Sequence, residues 1–174
     1  LVRRRSELES TWHGLSFSSP LGLSAGIDKN AQMVTMSHTI GFGFSTVGSV
    51  TSEPCSGNAR PWFHRLPKSQ SIVVHAGLPN IGVDPILGRI HNTSKKIQGS
   101  FPVVLSVART NSKEASGIDE GIADYVASIT AAKHSPAVSI IELNISCPNA
   151  YGGESYTTPN LLEKLLHAVD AVKA

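Results

Sequence analysis

The segment Asn144-Ile-Ser-Cys-Pro-Asn149 holds the densest set of chemically useful side chains in the sequence. Cys147 can take a proton or act as a nucleophile once ionised, and the carboxamides of Asn144 and Asn149 offer donors and acceptors to a polar ring. Pro148 restricts the backbone of Cys147 to extended conformations, which limits where its thiol can sit. A lone cysteine is more often an apolar filler, yet a filler does not account for two carboxamides within five residues of it. Three other clusters are less specific. In Ala25-Gly-Ile-Asp-Lys29, small residues permit close approach of a planar or phosphorylated ligand and Lys29 supplies a cation. Taken alone, a solvated Asp-Lys turn is the commoner explanation of that pair. Val47-Gly-Ser-Val-Thr51 carries hydroxyls and is uninformative by itself, and Ala76-Gly-Leu-Pro-Asn-Ile-Gly82 is a turn in which Asn80 is placed to cap a following helix.

Groups this far apart in sequence need a scaffold that gathers them, and the chain alternates short apolar runs with helical patterns. Pro20–Gly26 reads as a strand, followed by a helix over Asn30–Ile40 with Met33, Met36 and Ile40 on one face. Phe44–Val50 is a second strand, and Asn80–Ile97 is a helical pattern interrupted by Pro85 and Gly88. Pro102–Val107 and Ala137–Ile145 are further strands, with a helix over Ile118–Lys133 between them. Thr158 caps a last helix, with Pro159 at its first position and Leu161, Leu162, Leu165, Leu166, Val169 and Val172 along one side. Strand alternation sets Glu142 and Asn144 on the same face.

Four βα units in series imply an α/β fold of parallel strands with right-handed crossovers, in a doubly wound sheet or a barrel. Ligands in both bind at the carboxyl ends of the strands, where all four clusters lie. A closed (β/α)8 barrel takes about 250 residues, so a barrel reading makes this chain half of one. The start at Leu1 and the stop inside the last helical pattern agree with a piece of a longer product. Thr51–Ser71 is long and irregular, with Pro54, Gly57, Asn58, Pro61 and Pro67 around the pair Trp62-Phe63. Such a connection is either a lid or binding loop or a surface loop whose aromatics cover the sheet.

Composition excludes several classes. Across 174 residues, 15 Lys+Arg against 13 Asp+Glu leave a charge of +2, and hydrophobic residues make up 40%, which describes a globular chain and not a disordered or fibrous one. No apolar run approaches the roughly 18 residues a membrane helix needs. Arg3-Arg4-Arg5 is too short for a nucleic-acid footprint, so no nucleic-acid partner is expected. Two cysteines, Cys55 and Cys147, build neither a disulfide framework nor a four-ligand zinc site, and no metal is expected.

Taken together, Gly22-Leu-Ser-Ala-Gly-Ile-Asp-Lys29, Gly41-Phe-Gly43 leading to Val47-Gly-Ser-Val-Thr51, Gly57-Asn-Ala-Arg-Pro61 with Arg65-Leu66, Gly77-Leu-Pro-Asn-Ile-Gly82 and Asn144–Asn149 resemble the dihydroorotate dehydrogenase family over nearly the whole chain. The resemblance implies an FMN-containing (β/α)8 barrel, TIM-type, of which residues 1–174 form a partial domain of about the first four βα units. Residues 1–18 would be the end of an amino-terminal extension. It implies oxidation of dihydroorotate to orotate in pyrimidine synthesis, with the isolated half inactive; the open sheet edge of a half-barrel leaves apolar surface bare, so the isolated half is expected to self-associate.

By the same resemblance, Ala25 and Gly26 lie against the flavin, Lys29 bonds flavin and substrate carboxylate, and Ser49 and Ser106 contact the isoalloxazine. Asn144 bridges flavin and substrate, Asn149 holds the pyrimidine, and Cys147 is the base that takes the C5 proton while hydride leaves C6. The subclass motifs are mixed: Gly26-Ile-Asp-Lys29 and Gly57-Asn-Ala-Arg-Pro61 look like the membrane-associated quinone class, Glu142–Asn149 and Gly77-Leu-Pro-Asn80 like the soluble class with a Cys base. The acceptor is accordingly quinone, fumarate or NAD, and the location cytoplasmic or peripheral on the cytoplasmic face of the membrane; a homodimer is possible within the family. Where the family has a substrate-binding Asn three residues before Gly77, this chain has Val74, and His75 is the nearest polar replacement. Two other readings accommodate that departure: an FMN barrel acting on another dihydropyrimidine, such as dihydrouracil or dihydrouridine, or a non-catalytic half-barrel remnant.

Overall fold

The computed structural model describes residues 6–153 and 156–173; Leu1 and the Arg3–Arg5 cluster lie outside the described residues. Four parallel strands form the central sheet in the order β3 (Gly22–Asp28), β4 (Phe44–Val50), β7 (Val103–Val107), β8 (Ile140–Leu143). Each is followed by a helix: α1 (Val34–Ile40), α2 (Val83–Ser94), α3 (Ile118–Lys133) and α4 (Pro159–Lys173). This succession of four βα units is the one expected for the first half of a barrel. A hairpin of β1 (Ser10–Trp12) and β2 (Leu15–Phe17) packs at the starts of the strands, where Phe17 meets Phe44 edge to face at 5.7 Å. It therefore closes the end opposite the strands' carboxyl termini.

The two central strands, rich in Val and flanked on both sides, are buried along nearly their whole length. The helices bury i, i+4 pairs against them: Ile86 and Ile90 from α2, Tyr125 and Ile129 from α3, Leu165 and Val169 from α4. Full burial of one such aliphatic side chain is worth about 1.5–3 kcal/mol. Pro85 does not interrupt α2 because it stands in the first turn, where its missing N–H has no helical partner to lose.

Several boundaries differ from the sequence reading: β3 runs Gly22–Asp28 in place of Pro20–Gly26, α2 runs Val83–Ser94 in place of Asn80–Ile97, and three further differences have a local cause. Helix α1 starts at Val34, not near Asn30, because the Asp28 carboxylate takes the backbone N–H groups of Gln32 and Met33, both at 2.8 Å, and holds 29–33 as turns. Strand β8 is confined to Ile140–Leu143, although Asn144 N–H still donates to Val107 O at 2.8 Å. The stretch expected to be irregular, Thr51–Ser71, contains β5 (Phe63–Leu66), which forms an antiparallel hairpin with β6 (Ser71–Val74) at its end, turned by Pro67–Ser69 and by Gln70 at φ 51°. The β-branched run Ile72-Val-Val74 is its local cause.

Candidate active site

Three of the singled-out side chains meet at the carboxyl ends of β4, β7 and β8. The Ser49 and Ser106 hydroxyls lie 2.9 Å apart, and Asn144 Nδ2 donates to Ser49 Oγ at 2.7 Å. Both serines are buried. Gly48 makes their approach possible, since a Cβ there would stand 2.5 Å from Ser106 O. Asn144 is held from behind by the Tyr125 hydroxyl, which donates to its carbonyl at 2.6 Å. Burial pushes the Tyr125 phenol up to about 12, so it stays a donor across the physiological range. Glu142, in register with Ser106, is exposed and does not join the cluster.

Lys29 stands at the end of β3, half-buried, on the turn that buried Asp28 secures. The solvated-turn explanation of this pair therefore fails: Asp28 is an internal cap, and Lys29 is left to face the site. Burial lowers the ammonium's pKa, and its Coulombic interaction with Cys147 acts in the opposite direction. Gly26 adopts φ +92°, and a Cβ built on it would meet nothing but Lys29 Nζ at 3.9 Å. Ala25 and Gly26 thus bound an open face with the lysine at its rim.

Cys147 and Asn149 lie on the connection between β8 and α4, and Arg109, just past β7, holds that connection in place. Its guanidinium is almost fully buried and donates to three backbone carbonyls: Ala115 at 2.9 Å, Tyr151 at 2.6 Å and Gly153 at 3.2 Å. Asn149 is bonded to the end of the hairpin, its Nδ2 donating to Val74 O at 3.2 Å and its Oδ1 lying 3.3 Å from His75 Nδ1. Asn58 adds a bond from Nδ2 to Asn149 O at 3.0 Å. Trp62 braces Asn58 through Nε1 to its carbonyl at 2.7 Å and carries the Arg60 guanidinium over its ring at 4.5 Å. Of the aromatic pair, Trp62 thus anchors the mouth of the site, while Phe63 stays exposed on the hairpin.

Asn80 does not cap α2, whose N-cap is Gly82 with no side-chain bond. It is buried, and its Nδ2 donates to Thr51 Oγ1 at 2.8 Å and Leu78 O at 2.9 Å, while its Oδ1 accepts from Gly82 N–H at 2.8 Å. It ties the end of β4 to the Gly77–Gly82 turn. Arg109, Tyr125, Asn58, Asn111 and Asp28 were not singled out as site residues from sequence. Asp28 alone carried a local signal, an acid at the foot of a helical pattern.

A family model described as dihydroorotate dehydrogenase matches residues 7–174. Among similar curated proteins, the dihydroorotate dehydrogenase (quinone) of Shewanella denitrificans is 33% identical over 92% of this chain and 45% of its own length. That of Haloarcula marismortui is 36% identical over 88% and 41% respectively. The crystal structure of DHODH from Eimeria tenella in complex with ferulenol superposes with a TM-score of 0.82 at 25% identity, covering 99% of this chain and 45% of the other. The chain spans less than half the length of the curated relatives it matches.

Proposed function

Because the chain belongs to the dihydroorotate dehydrogenase family, whose members depend on FMN, we propose that it supplies part of the site at which dihydroorotate is oxidised to orotate for pyrimidine synthesis. The observation that carries this is the convergence of Lys29, Ser49, Ser106, Asn144 and Cys147 at one end of a parallel sheet whose other end is closed by the β1–β2 hairpin. The residues fit a flavin. Gly26 leaves the space of a side chain empty next to the Lys29 ammonium, and Ala25 and Gly26 offer backbone to a flat ring. The Ser49 and Ser106 hydroxyls and the Asn144 carboxamide supply polar contacts for its edge.

The chemistry FMN supplies when bound is acceptance of a hydride. Toward the substrate, Cys147 Sγ takes the proton from C5, Lys29 pairs with the carboxylate, Asn144 bonds both substrate and flavin, and Asn149 bonds the pyrimidine. Arg109 keeps Cys147 and Asn149 in place by holding the carbonyls downstream of them. Membership of this family favours dihydroorotate over dihydrouracil or dihydrouridine. Quinone is the acceptor we assign, supported by the quinone-linked relatives, in preference to fumarate or NAD. No helix among the described residues is long and apolar enough to cross a membrane. Quinones partition into bilayers, so an enzyme using one meets its acceptor at a membrane.

The test is Cys147→Ala in the flavin-loaded enzyme. FMN stays bound, and bleaching by dihydroorotate in stopped flow slows by roughly 10²–10⁴-fold, the worth of a positioned acid–base group. Cys147→Ser keeps part of the activity with its optimum moved to higher pH, since a hydroxyl is a weaker acid than a thiol. Near-normal bleaching in the alanine variant removes Cys147 from the mechanism, and a wild-type flavin that dihydroorotate never bleaches favours the non-catalytic remnant.

A further inference from the structure

A run of hydrogen bonds crosses the mouth of the site, and its direction is fixed at one end. Tyr151 N–H, which can only donate, bonds Asn111 Oδ1. Asn111 Nδ2 is therefore the donor to Asn58 Oδ1 at 3.0 Å and to Gly77 O at 2.9 Å. Asn58 must then present Nδ2 to His75, and at 3.1 Å the ring's Nε2 accepts. A neutral imidazole that accepts at Nε2 carries its hydrogen on Nδ1, so Nδ1–H donates to Asn149 Oδ1. Asn149 Nδ2 in turn donates to the Val74 carbonyl. Flipping the Asn149 carboxamide would set its N–H groups against the His75 N–H and its oxygen against the Val74 oxygen, exchanging two bonds for two repulsions. The packing beneath is tight: a Cβ on Gly77, at φ +66°, would stand 2.5 Å from Asn58 Oδ1 and 2.6 Å from Asn111 Nδ2.

We propose that His75, held as its Nδ1–H tautomer by Asn58, is a positioning residue that locks the Asn149 carboxamide in one orientation and so sets which polar edge of a pyrimidine-type ligand the site accepts. It does this where Val74 offers the ligand an isopropyl group and only its backbone carbonyl to Asn149. Val74 needs no polar side chain for Asn149 to be oriented, because the neighbouring ring does the orienting. The inference rests on the dihydroorotate reading and refines it.

Two measurements test it in the flavin-loaded enzyme. Nitrogen-15 spectra of labelled histidine at mildly alkaline pH should show His75 with a protonated Nδ1 and a bare Nε2; the opposite tautomer overturns the proposal. His75→Phe keeps the ring's shape without its polar atoms, and should weaken orotate binding about tenfold while the limiting rate of flavin bleaching changes by less than about twofold. His75→Asn restores an amide N–H near the Nδ1 position and should recover most of that loss. Wild-type orotate affinity in His75→Phe, or no recovery in His75→Asn, overturns the role of the imidazole. A wild-type enzyme whose flavin dihydroorotate fails to bleach overturns the dihydroorotate reading itself, and the proposal with it.

Discussion

The ammonium of Lys29 sits half-buried within electrostatic reach of Cys147, and burial makes it release its proton more readily than a free lysine. A bound carboxylate favours the charged form and raises that pKa again. The sign follows: orotate affinity is constant below the lowered pKa of the free enzyme, and above it falls about tenfold per pH unit because each binding event must then take up a proton. Titrating orotate affinity of the flavin-loaded enzyme across the alkaline range checks this, and Lys29→Met should bind weakly with no such slope. A slope unchanged in Lys29→Met would assign the titration to another group. Lys29 was legible as a cation in the sequence; that Asp28 is buried beneath it and unavailable as its partner was not, because Asp28 binds two amides four and five residues downstream.

Helix α3 couples the core to the loop that carries Cys147. Gly121, on its inner side, faces the crossing of Arg109 and Tyr156: a Cβ there would stand 2.3 Å from the Tyr156 hydroxyl oxygen and 2.7 Å from Arg109 Cδ. On an exposed helix, Gly→Ala is worth up to about 1 kcal/mol of stabilisation. Here the added methyl must push aside a buried tyrosine bonded to Ile118 O and an arginine bonded to three carbonyls. Gly121→Ala should therefore destabilise by about 1–3 kcal/mol in denaturant unfolding. The same displacement loosens the Tyr151 and Gly153 carbonyls, so the variant should also bind orotate more weakly. Stability equal to or above wild type would show that the crossing is not rigid. The helical period of α3 was readable, including Tyr125 and Ile129 on its buried side; the glycine's role was not, since it depends on Arg109 arriving from a strand end.

At the scale of the molecule, the four-stranded sheet ends in β3 on one side and β8 on the other, and neither pairs with a further strand among the described residues. Beside β8, a mostly apolar cleft of about 240 Å³ opens between Ile141, Leu143, Ile129, Leu166, Val169 and Val172, with Lys133 also in its lining. The β5–β6 hairpin adds exposed Phe63, Leu66, Ile72, Val73 and Val74. Unpaired strand edges next to bare apolar surface template association. The 174-residue chain by itself should therefore sediment as oligomers or aggregates, and addition of a polypeptide carrying the remaining half of a relative's barrel should reduce that association. A monodisperse, stable monomer would contradict the half-barrel reading.

Local pattern fixed the four βα units and their order, though not the β1–β2 and β5–β6 hairpins: apolar runs of β-branched residues, helical stripes such as Leu165 and Val169, and turn residues between them each depend on neighbours a few positions away. From that alternation the parallel sheet followed, and with it the placement of Lys29, Ser49, Ser106, Asn144 and Cys147 at the same ends of their strands. The partners of those groups were decided by tertiary structure alone. Asn80 became a buried tie and not a cap, Asn58 and Asn111 met over Gly77, and His75 found Asn149 at a sequence separation of 74. Such bonds connect loops whose courses depend on left-handed residues like Gly77 and Leu78 and on which neighbouring groups remain unsatisfied once the core has formed. No local pattern encodes them, because a polar side chain's partner is set by what folding brings within about 3 Å of it.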